Sequence, residues 1–190
     1  MKLTARFEDA LLYAARVHAD QVRKGLGGVP YVAHLMGVCA IALEFGADED
    51  AAIGALLHDA PEDQGGRPRL EEIRQRFGDG VAEIVEGCTD TFDTPKPKWR
   101  PRKEAYIAHL ATASAATRLV SASDKLYNAR AILRDVKAKG DAAYEIFAGQ
   151  KDGTLWYYRA LVKQFRATQT TPALIDQLDE VVSELERRTS

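Results

Sequence analysis

The chain has 190 residues, 46% hydrophobic and 28% charged, the balance of one folded globular domain rather than a disordered or fibrous chain. Its 26 basic residues against 28 acidic ones leave a formal charge of -2, which excludes an overall positive field able to gather nucleic acid or anionic lipid. The two cysteines, Cys39 and Cys88, lie far apart and outside any CxxC pattern, which argues against a zinc ribbon or disulfide framework and fits a reducing, cytoplasmic setting.

The opening stretch from Met1 reaches Glu8 before any apolar core of secretory length. No later apolar run approaches the roughly 18 residues of a membrane span, so a soluble, unprocessed chain is expected. Apolar residues recur at helical spacing, beginning with Phe7, Leu11, Ala14 and Ala15, and nowhere alternate like a half-buried strand, which predicts an all-α fold. A Gly-rich loop, Arg23 to Pro30, follows the first helix, and Pro30 opens a second helix that runs to about Phe45-Gly46. Asp48 caps a third, which runs to His58-Asp59. Pro61 ends it by disfavouring helical geometry at Ala60, leaving Glu62 and Asp63 on the exit or on a new turn.

Beyond Gly65-Gly66 the pattern predicts a short helix over about Leu70 to Phe77, stopped by Gly78, then another face through Val81, Ile84, Val85 and Cys88. Pro95, Pro97 and Pro101 make residues 91–102 a loop. Helices are predicted over about Arg102 to Thr112, Ala115 to Lys139, Ala142 to Phe147, Leu155 to Phe165 and Pro172 to Arg187. Roughly ten helices in a single domain spanning residues 1–190 is the expectation, consistent with a usual helix length of about 11 residues.

The chemistry concentrates in Leu56-Leu57-His58-Asp59-Ala60-Pro61-Glu62-Asp63. Adjacent helical residues point about 100° apart, so His58 and Asp59 share a target only at a helix end, where a metal in a groove can be reached by both. A buried hydrogen bond for His58 and a surface charge for Asp59 is the ordinary role of such a pair. Glu62 and Asp63 are placed either to align and deprotonate a water or simply to open a helix, whose first turn favours acids. The Gly-rich loop lacks the GxxxxGK[ST] pattern and is no P-loop.

His34 follows Pro30-Tyr31, and Asp124 lies in Asp124-Lys125-Leu126-Tyr127-Asn128 within the long apolar-faced helix. The order His34, His58-Asp59, Asp124 resembles the HD-domain metal-dependent phosphohydrolases. Arg23-Lys24 ahead of Pro30-Tyr31-x-x-His34, with Glu62-Asp63 and Asn128, makes the chain similar to the hydrolase domain of RelA/SpoT proteins and to free-standing small alarmone hydrolases. The resemblance runs from about Phe7 to Phe165. It implies an all-α HD bundle, one Mn²⁺ held by His34, His58, Asp59 and Asp124, and Glu62 and Asp63 as the catalytic pair. It further implies contacts from Arg23, Lys24 and Asn128 to a small nucleotide substrate, (p)ppGpp or (p)ppApp, whose 3′-pyrophosphate is removed. The chain departs from the family at Leu35 and at Pro61, which makes the placement of the two acids a question for the structure.

The residues agree with that implication. Mixed imidazole and carboxylate donors with positions to spare suit a hexacoordinate ion such as Mn²⁺ better than a closed tetrahedral zinc. Such an ion activates water without a covalent nucleophile. Lys151 is a further expected phosphate contact. Lys96, Lys98, Arg100, Arg102 and Lys103 are alternatives, either closing over a polyanion or solvated on a loop. Trp156, Tyr157 and Tyr158 are read as packing residues, His18 as a supporting or packing histidine, and His109 as a surface residue. The competing functions are an HD-type nucleotide phosphohydrolase of other specificity and a metal-stabilised binding protein without turnover.

Overall fold

A computed structural model describes residues 2–25, 27–93 and 95–189; Leu26 of the Gly-rich loop and Thr94 of the Pro-rich stretch lie outside them. The described residues form ten α-helices: α1 Ala5–Val17, α2 Val32–Glu44, α3 Glu49–Leu57, α4 Ala60–Asp63, α5 Gly66–Phe77, α6 Asp79–Cys88, α7 Trp99–His109, α8 Ala115–Lys139, α9 Gln150–Ala167 and α10 Pro172–Arg188. A 3-10 turn, Gly140–Tyr144, joins α8 to α9. The only extended pairing among them is an isolated bridge between Val22 and Pro30.

Capping starts three helices, at Asp48 as the sequence predicts and also at Thr4 and Ser114. Thr4 accepts from the Arg6 amide, Asp48 from Ala51 and Ser114 from Thr117, each satisfying an orphan first-turn donor. Every residue of α3 from Ala51 to Leu57 is buried, because α1, α2, α6 and α8 pack around it. A helix buried all round cannot be amphipathic, and α3 is almost wholly apolar after its acidic first turn. α8, with 25 residues, spans about 37 Å and packs against α2, α3, α6, α9 and α10, so one element links the site to the C-terminal helices.

Four boundaries differ from the sequence expectation. α7 begins at Trp99 inside the proposed loop, and α5 begins at Gly66 rather than Leu70. Pro101 and Pro68 each fall in a first turn, where the missing N–H has no intrahelical partner to lose. α9 starts at Gln150, five residues early, and the helix expected over Ala142 to Phe147 is largely the 3-10 turn.

Candidate metal and phosphate site

Four side chains from three segments converge at the end of α3. The first turn of α2 supplies His34, the α3–α4 junction supplies His58 and Asp59, and the middle of α8 supplies Asp124. Because α3 stops at Leu57 and α4 restarts at Ala60 with Pro61 in its first turn, the chain bends between His58 and Asp59. That bend lets two adjacent residues face one point. His34 Nε2 lies 3.2 Å from Asp59 Oδ2 and 3.3 Å from Asp124 Oδ1, and His58 Nε2 lies 3.1 and 3.7 Å from the same oxygens.

Both imidazoles are buried, yet neither Nε2 has a hydrogen-bond partner. His58 Nδ1 is 2.9 Å from the Ala55 carbonyl, a bond that assigns the proton to Nδ1 in the neutral ring and turns the Nε2 lone pair toward the carboxylates. Donor atoms of His34, His58 and Asp59 all lie within 4.8 Å of one another. Buried, unsatisfied nitrogens facing two carboxylates fit a cation between them. The electrostatics point the same way. Burial alone would lower the His58 pKa, but Asp59 and then Asp124 override it and hold the ring well above its ordinary value.

Each carboxylate is oriented by further bonds. Tyr31 donates to Asp59 Oδ2 at 2.6 Å, its ring stacks on His18, and burial followed by the Asp59 charge raises its hydroxyl far enough to keep it a donor. Asp124 accepts from Lys125 at 2.6 Å and from Asn128 at 2.5 Å. Asn128 Oδ1 in turn accepts from Arg23 at 2.6 Å, and the Arg23 guanidinium lies 5.7 Å from the Tyr31 and Tyr127 ring centres. The Gly-rich loop leaves and returns through paired ends, Tyr31 N to Gln21 O and Arg23 N to Val29 O, both 2.9 Å.

A cavity of about 490 Å³ is lined by Asp59, Asp124, Glu62 and Asp63 together, so Pro61 does not turn the two acids away. Glu62 accepts from Lys96 at 2.7 Å and from the Asp90 amide at 3.1 Å. Asp63 accepts from Gln21 Nε2 at 2.7 Å. Gln21 Oε1 is bonded to His18 Nδ1 and Gln64 Nε2, both at 2.7 Å, which fixes the amide with its NH₂ toward Asp63. Enclosure by the cavity walls, and then the charge of Asp59, raise the Asp63 carboxyl above its usual range.

Six basic side chains share this cavity with six acidic ones, so a divalent ion would make it net positive. Arg23, Lys24 and Asn128 line it as the sequence suggests, and so do Lys96, Arg102 and Lys103. Lys98 and Arg100 do not line it; Arg100 pairs with Glu104 and packs over Trp156. Lys151 is a correction. It lies outside the cavity, with its ammonium bound to Asp141 at 2.9 Å and to the Thr189 carbonyl at 2.6 Å, because the early start of α9 turns it toward the C-terminus. Tyr157 and Tyr158 are buried, Trp156 packs on Trp99, and His109 is exposed. Sequence reasoning missed Gln21, Tyr31, Asp90 and Lys125.

The HD domain family matches residues 10–154. The guanosine-3′,5′-bis(diphosphate) 3′-pyrophosphohydrolase MESH1 of Xenopus tropicalis is 39% identical over 131 residues, covering 68% of either chain. The Drosophila melanogaster protein of the same name is 30% identical over 180 residues, covering 94% of this chain and 93% of its own. A solved structure described as a metazoan ortholog of SpoT that hydrolyzes ppGpp superposes with a TM-score of 0.82 at 28% identity, over 100% of this chain and 99% of that one. The chain therefore belongs to the HD-domain family, among the metal-dependent phosphohydrolases that resemble RelA/SpoT hydrolase domains.

Proposed function

We propose that residues 1–190 act as one HD domain that removes the 3′-pyrophosphate of a guanosine or adenosine tetra- or pentaphosphate, in a reducing cytoplasm, with one Mn²⁺. The observation that carries this reading is the shared cavity: two carboxylates free of the ligand set, Glu62 and Asp63, face the same space as Asp59 and Asp124, beside the cations a polyphosphate needs. The relatives named for this reaction support it. His34, His58, Asp59 and Asp124 would hold a divalent ion, which would supply positive charge to acidify a nearby water and offset charge on the phosphoryl group. The mixed nitrogen and oxygen donors, with room for more ligands, favour Mn²⁺.

The chain's own groups do the rest. Lys96, Arg102 and Lys103 hold the pyrophosphate by charge-assisted bonds. Arg23 and Asn128, locked to each other and to Asp124, orient the ribose and its 3′-phosphate. Glu62 and Asp63, held in place by Lys96, the Asp90 N–H and Gln21, align the water and take its proton as the new P–O bond forms and the bond from phosphorus to the 3′-oxygen breaks. The 3′-oxygen leaves with the proton the acids took from the water, and pyrophosphate departs whole.

Anion-exchange analysis of products with Mn²⁺ and a panel of 3′-pyrophosphates tests this. Pyrophosphate and a nucleoside 5′-di- or triphosphate are expected first; stepwise orthophosphate, or turnover of nucleoside monophosphates alone, overturns the reading. Glu62→Gln should keep the metal and lose about 10²- to 10⁴-fold in kcat, whereas Arg23→Ala should act mainly on KM. If Glu62→Gln strips the metal, the division between ligands and catalytic acids is wrong.

A further inference from the structure

The cavity divides by polarity. Near the metal ligands its walls carry Lys96, Lys103 and Lys125, while Val22, Ile132, Ile146 and Phe147 give it an apolar wall elsewhere. Beside those apolar residues, with Arg23 and Lys24 following Val22 on the adjoining loop, stands a carboxylate, Asp135. It lies eleven residues after Asp124 on α8, about 16 Å further along the helix, and three residues after Ile132 on the same face. Gly25 confirms the grouping: a Cβ there would meet both Asp135 Oδ2, at 2.5 Å, and Ile146 Cδ1, at 3.9 Å. The distance from the metal ligands leaves room for a nucleoside between Asp124 and Asp135.

Asp135 is only 7% exposed. Its Oδ1 receives the guanidinium of its neighbour Arg134 at 3.0 Å, and among the described residues Oδ2 accepts no hydrogen bond. A buried carboxylate that is half satisfied is out of place in a pocket for phosphates, which it repels. It is in place opposite a donor. Ionised carboxylates only accept, and each oxygen has two lone pairs, so Arg134 leaves Oδ1 able to accept again. Guanine presents two parallel donors, N1–H and the N2 amine, spaced for one carboxylate. Adenine offers the N6 amine beside N1, a lone pair that faces a carboxylate oxygen with repulsion.

We propose that Asp135 reads the nucleobase and makes the chain prefer guanine over adenine 3′-pyrophosphates, an inference that rests on the nucleotide hydrolase reading above. Neither the metal ligands nor the phosphate cations can make this distinction, because they touch parts common to both nucleotides. A well-matched bidentate pair discriminates bases by about 10- to 100-fold. The carboxamide of Asn has one acceptor and one donor, so it complements the N6–H and N1 of adenine and opposes guanine N1–H.

The test compares kcat/KM for the guanosine, adenosine and inosine 3′-pyrophosphates at saturating Mn²⁺, in the wild type, Asp135→Asn and Asp135→Ala. The wild type should favour guanosine over adenosine by about tenfold or more, with inosine, which keeps N1–H and lacks the amine, in between. Asp135→Ala should abolish the preference and Asp135→Asn reverse it, with metal content unchanged. Equal kcat/KM for guanosine and adenosine in the wild type, or a preference that survives Asp135→Asn and Asp135→Ala, overturns the assignment. The inosine comparison needs no variant: inosine turned over as well as guanosine would overturn the paired-donor readout even if both substitutions disturb the loop at Gly25. Failure of the wild type to hydrolyse any of the three refutes the nucleotide reading instead.

Discussion

Lys103 is a cavity residue whose charge changes near neutral pH. Burial first, and then the like charges of Lys125 and Arg102, bring its ammonium down to about 7, although Asp90 lies 2.6 Å away. Below that value it is a cation facing the cavity; above it the amine is neutral. A substrate polyanion favours the charged form, so binding takes up a proton and weakens as pH rises through 7. At saturating Mn²⁺, KM should climb by about tenfold between pH 6.5 and 8.5, the worth of one charge-assisted bond, with kcat little changed. Lys103→Arg should flatten that rise, and a flat KM in the wild type would remove Lys103 from phosphate binding. The convergence of His34, His58-Asp59 and Asp124 was legible in the sequence, through their order and its resemblance to the HD pattern. Tyr31, Gln21 and Asp90 were not, since their roles arise from bonds between segments 28 to 42 residues apart. Lys151 misled for the opposite reason: proximity to an aromatic run in sequence says nothing about which way a helix turns its side chains.

Helix-to-helix distance sets the geometry of the ligand set, and it is decided where α2 meets α8. Gly37 lies one turn from His34, and a Cβ there would come within 2.1 Å of Cε2 on the Tyr127 ring, itself one turn from Asp124. The ring's hydroxyl reaches the Ala33 carbonyl at 3.3 Å, so Tyr127 cannot swing aside without losing a bond. Gly37→Ala must therefore spread the two helices and move His34 away from Asp124. A destabilisation of about 1–3 kcal/mol is expected from overpacking, together with weaker metal binding, measured by urea unfolding and by metal content after gel filtration. Wild-type values in both would mean that the ring simply rotates. Helix periodicity and caps made most elements readable in the sequence, but prolines were read too strictly as breakers. Pro68 and Pro101 sit within first turns, where only the surrounding packing reveals whether a helix continues past them.

Seen as a whole, the molecule lines its cavity with segments from Gln21 to Tyr158, α9 included, while α10 is remote from the cavity and packs on α8 and α9. Two kinds of interaction hold α10, and their magnitudes differ. Leu174, Ile175, Leu178, Val182 and Leu185 are buried on one face, as the period in the sequence predicts. At about 1.5–3 kcal/mol for each such side chain, this face contributes on the order of 10 kcal/mol, comparable with the net stability of an entire domain. The polar clamp is Arg159, which pairs with Asp179 and Glu186 and donates to Ser183 at 3.1 Å. Its side chain is 38% exposed, so solvent screens the pairs and about 1 kcal/mol or less is at stake. Ending the chain at residue 170 should therefore abolish cooperative unfolding and metal retention together, because α8, which carries Asp124, loses its cover. Arg159→Ala should lower Tm by only about 2–4 °C and leave metal content intact. Thermal melts of both variants, read beside metal content, separate the contributions: a 1–170 fragment that melts cooperatively near the wild-type temperature would show that α10 is an appendage rather than the outer wall of the α8 core.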